Sequence, residues 1–226
     1  MSLSKELLAD IPLFNEITED ELVRLDKILS PRIKEYRPGE FLSHPEDILE
    51  EIVIVLQGKV HMISEDFWGN QNIIAEFTDH SLFGEAHSIS RSPMFFSLAV
   101  VKPSTLLSFY AQKLQQPDFQ NDSALKKLHS NLMNIIIEKK LDYMRKADIL
   151  SRRNLREKIS AFLSEEYRKK GTSSFHIPYN RQQMADYLCV ERSALSKELS
   201  RMQDEGLISY RKNKFWLHVP VSHKCC

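Results

Sequence analysis

The amino-acid sequence predicts an α+β protein in three consecutive parts: a β-roll behind short N-terminal helices, one long helix, and a small helical domain closed by a hairpin. Three observations predict it. Short runs rich in β-branched and aromatic residues recur between residues 32 and 110, at spacings near those of a β-sandwich or roll. Residues 123–149 contain neither glycine nor proline. Beyond them, apolar residues fall at helical intervals and the charge turns basic. The expected boundaries are 1–120, 121–150 and 151–226.

The first part opens with helical signals over residues 4–29. Leu7, Leu8 and Ile11 precede Pro12, and Thr18 then offers an N-cap with Glu21 at the capping-box position. Leu22, Leu25 and Leu29 give that second run an apolar stripe. Strands are expected at Ile33–Tyr36, Glu40–Ser43, Ile52–Leu56, Lys59–Ser64, Asn72–Phe77, Phe96–Val101 and Thr105–Tyr110. Turn signals separate them at Arg37-Pro38-Gly39, Gln57-Gly58-Lys59, Trp68-Gly69-Asn70 and Lys102-Pro103-Ser104.

The middle part reads as a helix of about 27 residues, about 40 Å long. Leu125, Leu128, Leu132, Ile135, Ile136, Leu141 and Tyr143 fall roughly on one side, with Lys126, Lys127, Lys139 and Lys140 elsewhere. Two readings of this side stand together: a dimer seam carried by Leu125, Leu128, Leu132, Ile136 and Tyr143, or a face packed on the roll. Ser151-Arg152-Arg153-Asn154 then breaks the pattern and marks a hinge.

Composition sets the frame for function. Of 226 residues, 42% are hydrophobic and 27% charged, the profile of a soluble globular protein. No apolar run approaches the roughly 18–20 residues that cross a bilayer, and residues 1–14 lack the core of a signal peptide, so a cytoplasmic location is expected. The net charge of zero hides a polarity. Residues 1–110 hold 9 basic and 18 acidic side chains, a balance of −9; residues 111–226 hold 22 and 13, a balance of +9. A basic second half fits a polyanionic partner, although unevenly spread surface charge gives the same sum.

Three cysteines support no disulfide framework: Cys225 and Cys226 are adjacent, and Cys189 lies far from them. A structural zinc or an iron–sulfur cluster would need more thiolates at closer spacing, so no metal site is expected. Redox sensing by a lone thiol stays open. With six glycines and no phosphate-binding loop, nucleophile elbow or paired metal ligands, no catalytic reading arises.

The most specific stretch is Asn180 to Gly206. Met184, Ala185 and Leu188 form the inner face of a short helix, Cys189-Val190-Glu191 makes a tight turn, and Leu195, Leu199 and Met202 line a second helix. Ala185 lets the two backbones approach closely. Between its core positions the second helix offers Arg192, Ser193, Ser196, Lys197 and Ser200, short polar and cationic groups suited to base edges and phosphates. Two alternating runs around Lys212-Asn213-Lys214 follow as a β-hairpin with a basic tip, which is a wing.

These residues, with Tyr36-Arg37-Pro38-Gly39-Glu40, Ile54-Val55-Leu56-Gln57-Gly58-Lys59-Val60 and Phe83-Gly84-Glu85, resemble the cyclic-AMP receptor and fumarate-nitrate regulator superfamily of bacterial transcription regulators. The resemblance covers most of the chain in family order. It implies a homodimer on double-stranded DNA, reading a near-palindromic operator through recognition helices roughly 34–36 Å apart, with RNA polymerase as a further partner. By position it implies that Arg181 holds phosphate, Arg192 reads a base and Lys197 adds a second basic contact. Gln182, Ser193, Ser196, Arg201, Lys212, Asn213 and Lys214 complete the expected DNA-contacting set. Many members carry Glu at Ser193, where it accepts from cytosine; a different operator is therefore expected.

In nucleotide-binding members of that family an arginine after Phe-Gly-Glu holds the cyclic phosphate. Here the matching stretch is Pro93-Met94-Phe95-Phe96, with Arg91 slightly upstream, so an effector other than cyclic AMP is expected and no cofactor is named. Candidate pocket residues are Phe83, Gly84, Glu85, Phe95, Phe96 and Tyr143. Phe83, Phe95, Phe96, Phe109 and Trp68 equally suit the core of the roll. His44, His61, His80 and His87 show no metal-ligand spacing. Two other classes stay open: a cyclic-nucleotide-binding regulator, and a constitutive DNA-binding protein whose sensor has degenerated.

Overall fold

The computed structural model describes residues 3–115 and 122–218; Val219, Cys225 and Cys226 lie outside them. The chain divides into two compact units, Met1–Ile137 and Glu138–Cys226.

The first unit opens with α1 (Lys5–Leu8), a 3-10 turn at Pro12–Phe14 and α2 (Glu19–Leu29). The helical signal over residues 4–29 is thus two helices with a tight turn at Pro12, which lacks the N–H a continuing helix needs. Thr18 and Glu21 close the capping box, with the Thr18 N–H donating to Glu21 Oε2 at 2.9 Å. The strands are β1 (Arg32–Tyr36), β2 (Phe41–Ser43), β3 (Glu51–Glu65), β4 (Gln71–Thr78), β5 (Leu82–Phe83) and β6 (Ser97–Tyr110), all antiparallel. Their order is β1-β6-β3-β4, with β2 beside β6 and β5 beside β3.

Two expected turns are bulges instead. Gln57-Gly58-Lys59 does not end a strand: β3 runs 15 residues through it, and β6 runs 14 through Lys102-Pro103-Ser104. The irregularities face each other, since Gln57 pairs with Thr105 and Lys59 with Lys102, leaving Pro103 without a ladder partner to deny. Gly58 has φ +116°, and a Cβ there would lie 2.2 Å from Ser104 Oγ, so only glycine allows the close crossing. Ser104 Oγ accepts from the Lys59 N–H at 3.0 Å. The short α3 (Glu85–Ser90) had no apolar period to announce it.

Alternate residues of β3 serve two cores. Ile52 and Ile54, with Leu107 and Phe109 of β6, pack against the N-terminal helices and the start of α4 (Ser123–Leu150). Val53, Val55 and Val60, with Leu98, Val100 and Leu106, fill the roll around Phe83 and Met94. Burial on both faces explains the unbroken apolar run Ile52–Leu56.

The first half of α4 contributes Ala124, Leu125, Leu128 and Leu132 to the helical core. Lys127 Nζ donates to Glu21 Oε2 at 2.9 Å and Ser123 Oγ to Glu21 Oε1 at 3.0 Å. The Thr18 N–H foremost, and then these bonds from Lys127 and Ser123, hold the Glu21 carboxyl well below its ordinary value, at about 2. Of the expected seam residues, Leu125, Leu128 and Leu132 are therefore committed to their own chain. The exposed apolar stripe of α4 is Met133, Ile137, Leu141 and Met144, at helical spacing; Ile136 is half-buried and Tyr143 exposed.

The second unit begins in the rest of α4 and continues with α5 (Leu155–Lys170), β7 (Ser174–His176), α6 (Arg181–Leu188), α7 (Arg192–Asp204), β8 (Ile208–Arg211) and β9 (Lys214–Leu217). Asn154 caps α5, accepting from the Glu157 N–H at 2.9 Å, and Gly171 ends it with φ +67°. Ile159, Phe162, Leu163, Met184, Leu188, Leu195, Leu199 and Phe215 form its core. The sheet order is β7-β9-β8.

Candidate nucleic-acid interface and effector region

Asn180 caps α6 reciprocally with Gln183: the Asn180 N–H donates to Gln183 Oε1 at 2.8 Å, and the Gln183 N–H returns a bond to Asn180 Oδ1 at 2.9 Å. Cys189, with φ +53°, turns the chain so that α7 starts at Arg192. Ala185 and Leu195 are both fully buried at the crossing. Arg192, Ser193, Lys197 and Ser200 remain exposed on α7, and Ser196 half-exposed. That is a row of short acceptors and cations with no aliphatic bulk to hold a groove away. Ser200 Oγ sits 3.4 Å from the Tyr210 hydroxyl, joining this row to the wing.

The wing turns at Lys212, which has φ +56°, and Lys212 and Asn213 are both exposed. Asn213 Nδ2 donates to the Ile177 carbonyl at 3.2 Å, so its side chain secures the hairpin from behind. Lys214 Nζ lies over the Trp216 ring, 5.0 Å from the centroid. Gln182 donates to Asp186 at 2.8 Å on the exposed face of α6.

Arg181 and Arg201 are placed differently from a simple phosphate contact. Arg181 stacks over Tyr210 at 4.9 Å and Phe215 at 5.8 Å, and donates to the Lys212 carbonyl at 3.3 Å. Burial under the wing lowers its pKa from the usual arginine value. Arg201 pairs with Glu198 at 3.4 Å. Behind α7, Arg156 of α5 binds Glu198 at 2.6 Å and takes both oxygens of Glu205 at 2.7 Å. Those bonds hold both carboxyls below their usual range and raise the guanidinium. This three-residue clamp escaped the sequence reading. Its one signal was a carboxylate three residues after Leu195, on the flank of a core face.

In the roll, Phe83 is buried and stacks on Phe77 with centroids 4.7 Å apart. Gly84 has φ +84°, and a Cβ there would meet Leu49 at 2.7 Å and the Glu51 carbonyl at 2.9 Å. Glu85 begins α3 and is 9% exposed. Met94 occupies the expected phosphate-arginine stretch and is 1% exposed, its N–H donating to the Asp47 carbonyl and its carbonyl accepting from the Glu46 N–H, both at 2.9 Å. Phe95 does not join the core: it is 68% exposed and meets His87 edge-on at 5.3 Å, with Phe96 half-buried beside it. Trp68 also departs from the core reading, at 82% exposed on the β3–β4 turn. Arg91 is exposed at the end of α3. Tyr143 belongs to the second unit, on α4.

His61 Nε2 and Lys59 Nζ both meet Glu76, at 3.0 and 2.8 Å. No group of three or more His, Cys, Asp or Glu side chains suited to a metal ion occurs among the described residues. Among them, no helix is long and apolar enough to cross a membrane.

A β-roll, a long helix and a winged helix-turn-helix with a polar, cationic recognition helix define a DNA-binding transcription regulator. The family model of the cyclic nucleotide-binding domain matches residues 33–117, and that of the Crp-like helix-turn-helix domain residues 157–220. The chain belongs to the cyclic-AMP receptor and fumarate-nitrate regulator superfamily. It is 24% identical over 230 residues to the transcriptional activator protein anr of Pseudomonas aeruginosa, spanning 97% of this chain and 88% of that one. Among solved structures, CprK complexed with OCPA aligns at a TM-score of 0.59 and 15% identity, over 86% of this chain and 88% of that one. The c-di-GMP responsive regulator CLP of Xanthomonas campestris aligns at 0.54 and 18%, over 89% and 99%.

Proposed function

We propose that the chain acts in the cytoplasm as a homodimeric, non-enzymatic regulator whose DNA affinity is set by a small effector of the roll other than cyclic AMP. Arg192 reads a base, Lys197 and the wing tip hold phosphates, and Ser193 shifts the preferred half-site. The outward stripe Met133, Ile137, Leu141 and Met144 makes the seam, which places two α7 helices on a near-palindromic operator. RNA polymerase is the further partner expected of such a regulator.

Buried Met94 carries the effector reading. Met94 is sealed in the core and Phe95 stands exposed beside a half-buried Phe96, so Pro93–Phe96 offers a cyclic phosphate no cation and none of the charge-assisted bonds that would hold it. Relatives of this fold named for OCPA and for c-di-GMP support the view that the architecture serves more than one effector. The filled interior around Val53, Val55, Leu98 and Phe83 favours a second reading, a constitutive DNA-binding protein with a structural roll.

The test is a thermal-shift screen of the full chain against cyclic AMP, cyclic GMP, haem and small organic acids. A ligand at a hundred times its Kd stabilises by about 2.7 kcal/mol, easily seen as a rise in Tm. A shift with cyclic AMP defeats the reading of Met94; a shift with another class upholds it; no shift at all favours the constitutive reading.

A further inference from the structure

We infer that Arg156, outside the recognition helix, is a positioning residue for DNA reading: it fixes the rotation of α7 about its own axis and so decides which side chains between Arg192 and Ser200 face the bases. This rests on α7 being the recognition helix.

The geometry is a fork on two anchor points. Arg156 Nε donates to Glu198 Oε1 at 2.6 Å, while Nη1 and Nη2 donate to Glu205 Oε2 and Oε1 at 2.7 Å each. Glu198 and Glu205 are seven residues apart, two helical turns, so they lie on one flank about 10 Å apart along the axis. Arg201 Nη1 adds a contact to Glu198 Oε2 at 3.4 Å. None of these groups belongs to the outward row of Arg192, Ser193, Ser196 and Lys197.

Leu195, Leu199 and Met202 already bury α7. Aliphatic contacts are non-directional, however, and tolerate a small roll of the helix. A planar guanidinium with three hydrogen bonds to two carboxylates does not, because each bond weakens steeply as its angle opens. A roll of α7 would carry Arg192 and Ser196 around the axis while leaving the hydrophobic core buried. The Arg156 guanidinium holds both carboxyls below their usual range, so the charged clamp persists into mildly acidic solution.

The experiment compares the wild-type full chain, Arg156→Lys and the double variant Glu198→Gln/Glu205→Gln on two duplexes. One is the sequence enriched by the wild-type protein from a random pool of duplexes about 30 base pairs long; the other is its scrambled counterpart. Simple electrostatics predicts that removing two carboxylates tightens binding to both duplexes. The clamp predicts instead that the enriched-to-scrambled affinity ratio falls by about tenfold in the double variant. Arg156→Lys keeps the charge but loses the fork, and the ratio is expected to fall there too. Lysine also keeps the stem, so this variant serves if the double change unfolds the domain. An unchanged ratio in a folded variant overturns the proposal. If the wild-type chain enriches no duplex, either alone or with a ligand that raised its Tm in the thermal-shift screen, the recognition-helix reading itself fails, and the role of Arg156 with it.

Discussion

The guanidinium carbon of Arg181 lies over the ring of Tyr210, 4.9 Å from its centroid, and ties the first motif helix to the wing. A partly desolvated cation–π contact of this kind is worth about 1–2 kcal/mol. Arg181→Ala is therefore expected to lower the Tm of the C-terminal unit by several degrees, on the usual scale of about 4–8 °C per kcal/mol for a small domain. Calorimetry checks this, and an unchanged Tm would mean that the stack contributes nothing.

Arg192 stands exposed at the first position of α7, and among the described residues it makes no ring contact of the kind that holds Arg181. Arg192→Ala is expected to weaken specific binding by about 1–3 kcal/mol and to leave the thermal transition in place. Gel-shift titration against the enriched duplex measures it.

Met133, Ile137, Leu141 and Met144 expose an apolar stripe, whereas Leu128 is sealed inside its own unit. Ile137→Glu is expected to drive the protein to monomer in sedimentation velocity. Leu128→Ala is expected to cost about 2–5 kcal/mol of stability instead, from lost burial and the cavity left behind. If Ile137→Glu sediments as wild type does, the seam lies elsewhere.

Glu21 gives the roll unit an acid-sensitive element. Its folded pKa of about 2 lies below the ordinary 4.5, so the ionised form is the one the fold favours. The contribution is present in full above pH 4.5 and is lost as the pH falls toward 2. Glu21→Gln is expected to be less stable at neutral pH and to show a flatter acid limb between those values, followed by circular dichroism during acid titration.

The helix-turn-helix was legible because its signals are local: a small residue at Ala185, a short turn at Cys189-Val190-Glu191, and apolar residues three and four apart. The roll was legible as a class but not in its joints. Gly58 and Pro103 each signal a turn when read alone, and only their meeting across two strands makes them paired bulges. The long helix misled for a related reason. Periodicity found the face of Leu125, Leu128 and Leu132, but not whether a neighbouring chain or the same chain covers it. The clamp of Arg156 was invisible because its partners are 42 and 49 residues away and share no spacing rule.

The two-faced burial of β3 bears on how the chain reaches its native state. Ile52-Val53-Ile54-Val55-Leu56 is a β-prone, uncharged stretch, the type that stacks between molecules when newly made chains meet. Antiparallel partners for it arrive late, since Leu106 and Leu107 of β6 lie some fifty residues downstream. Glu50 and Glu51 before the stretch and Lys59 after it are charges of the kind that keep such a stretch from pairing with its like. Neutralising the pair with Glu50→Gln and Glu51→Gln would then be felt first as inclusion bodies during expression.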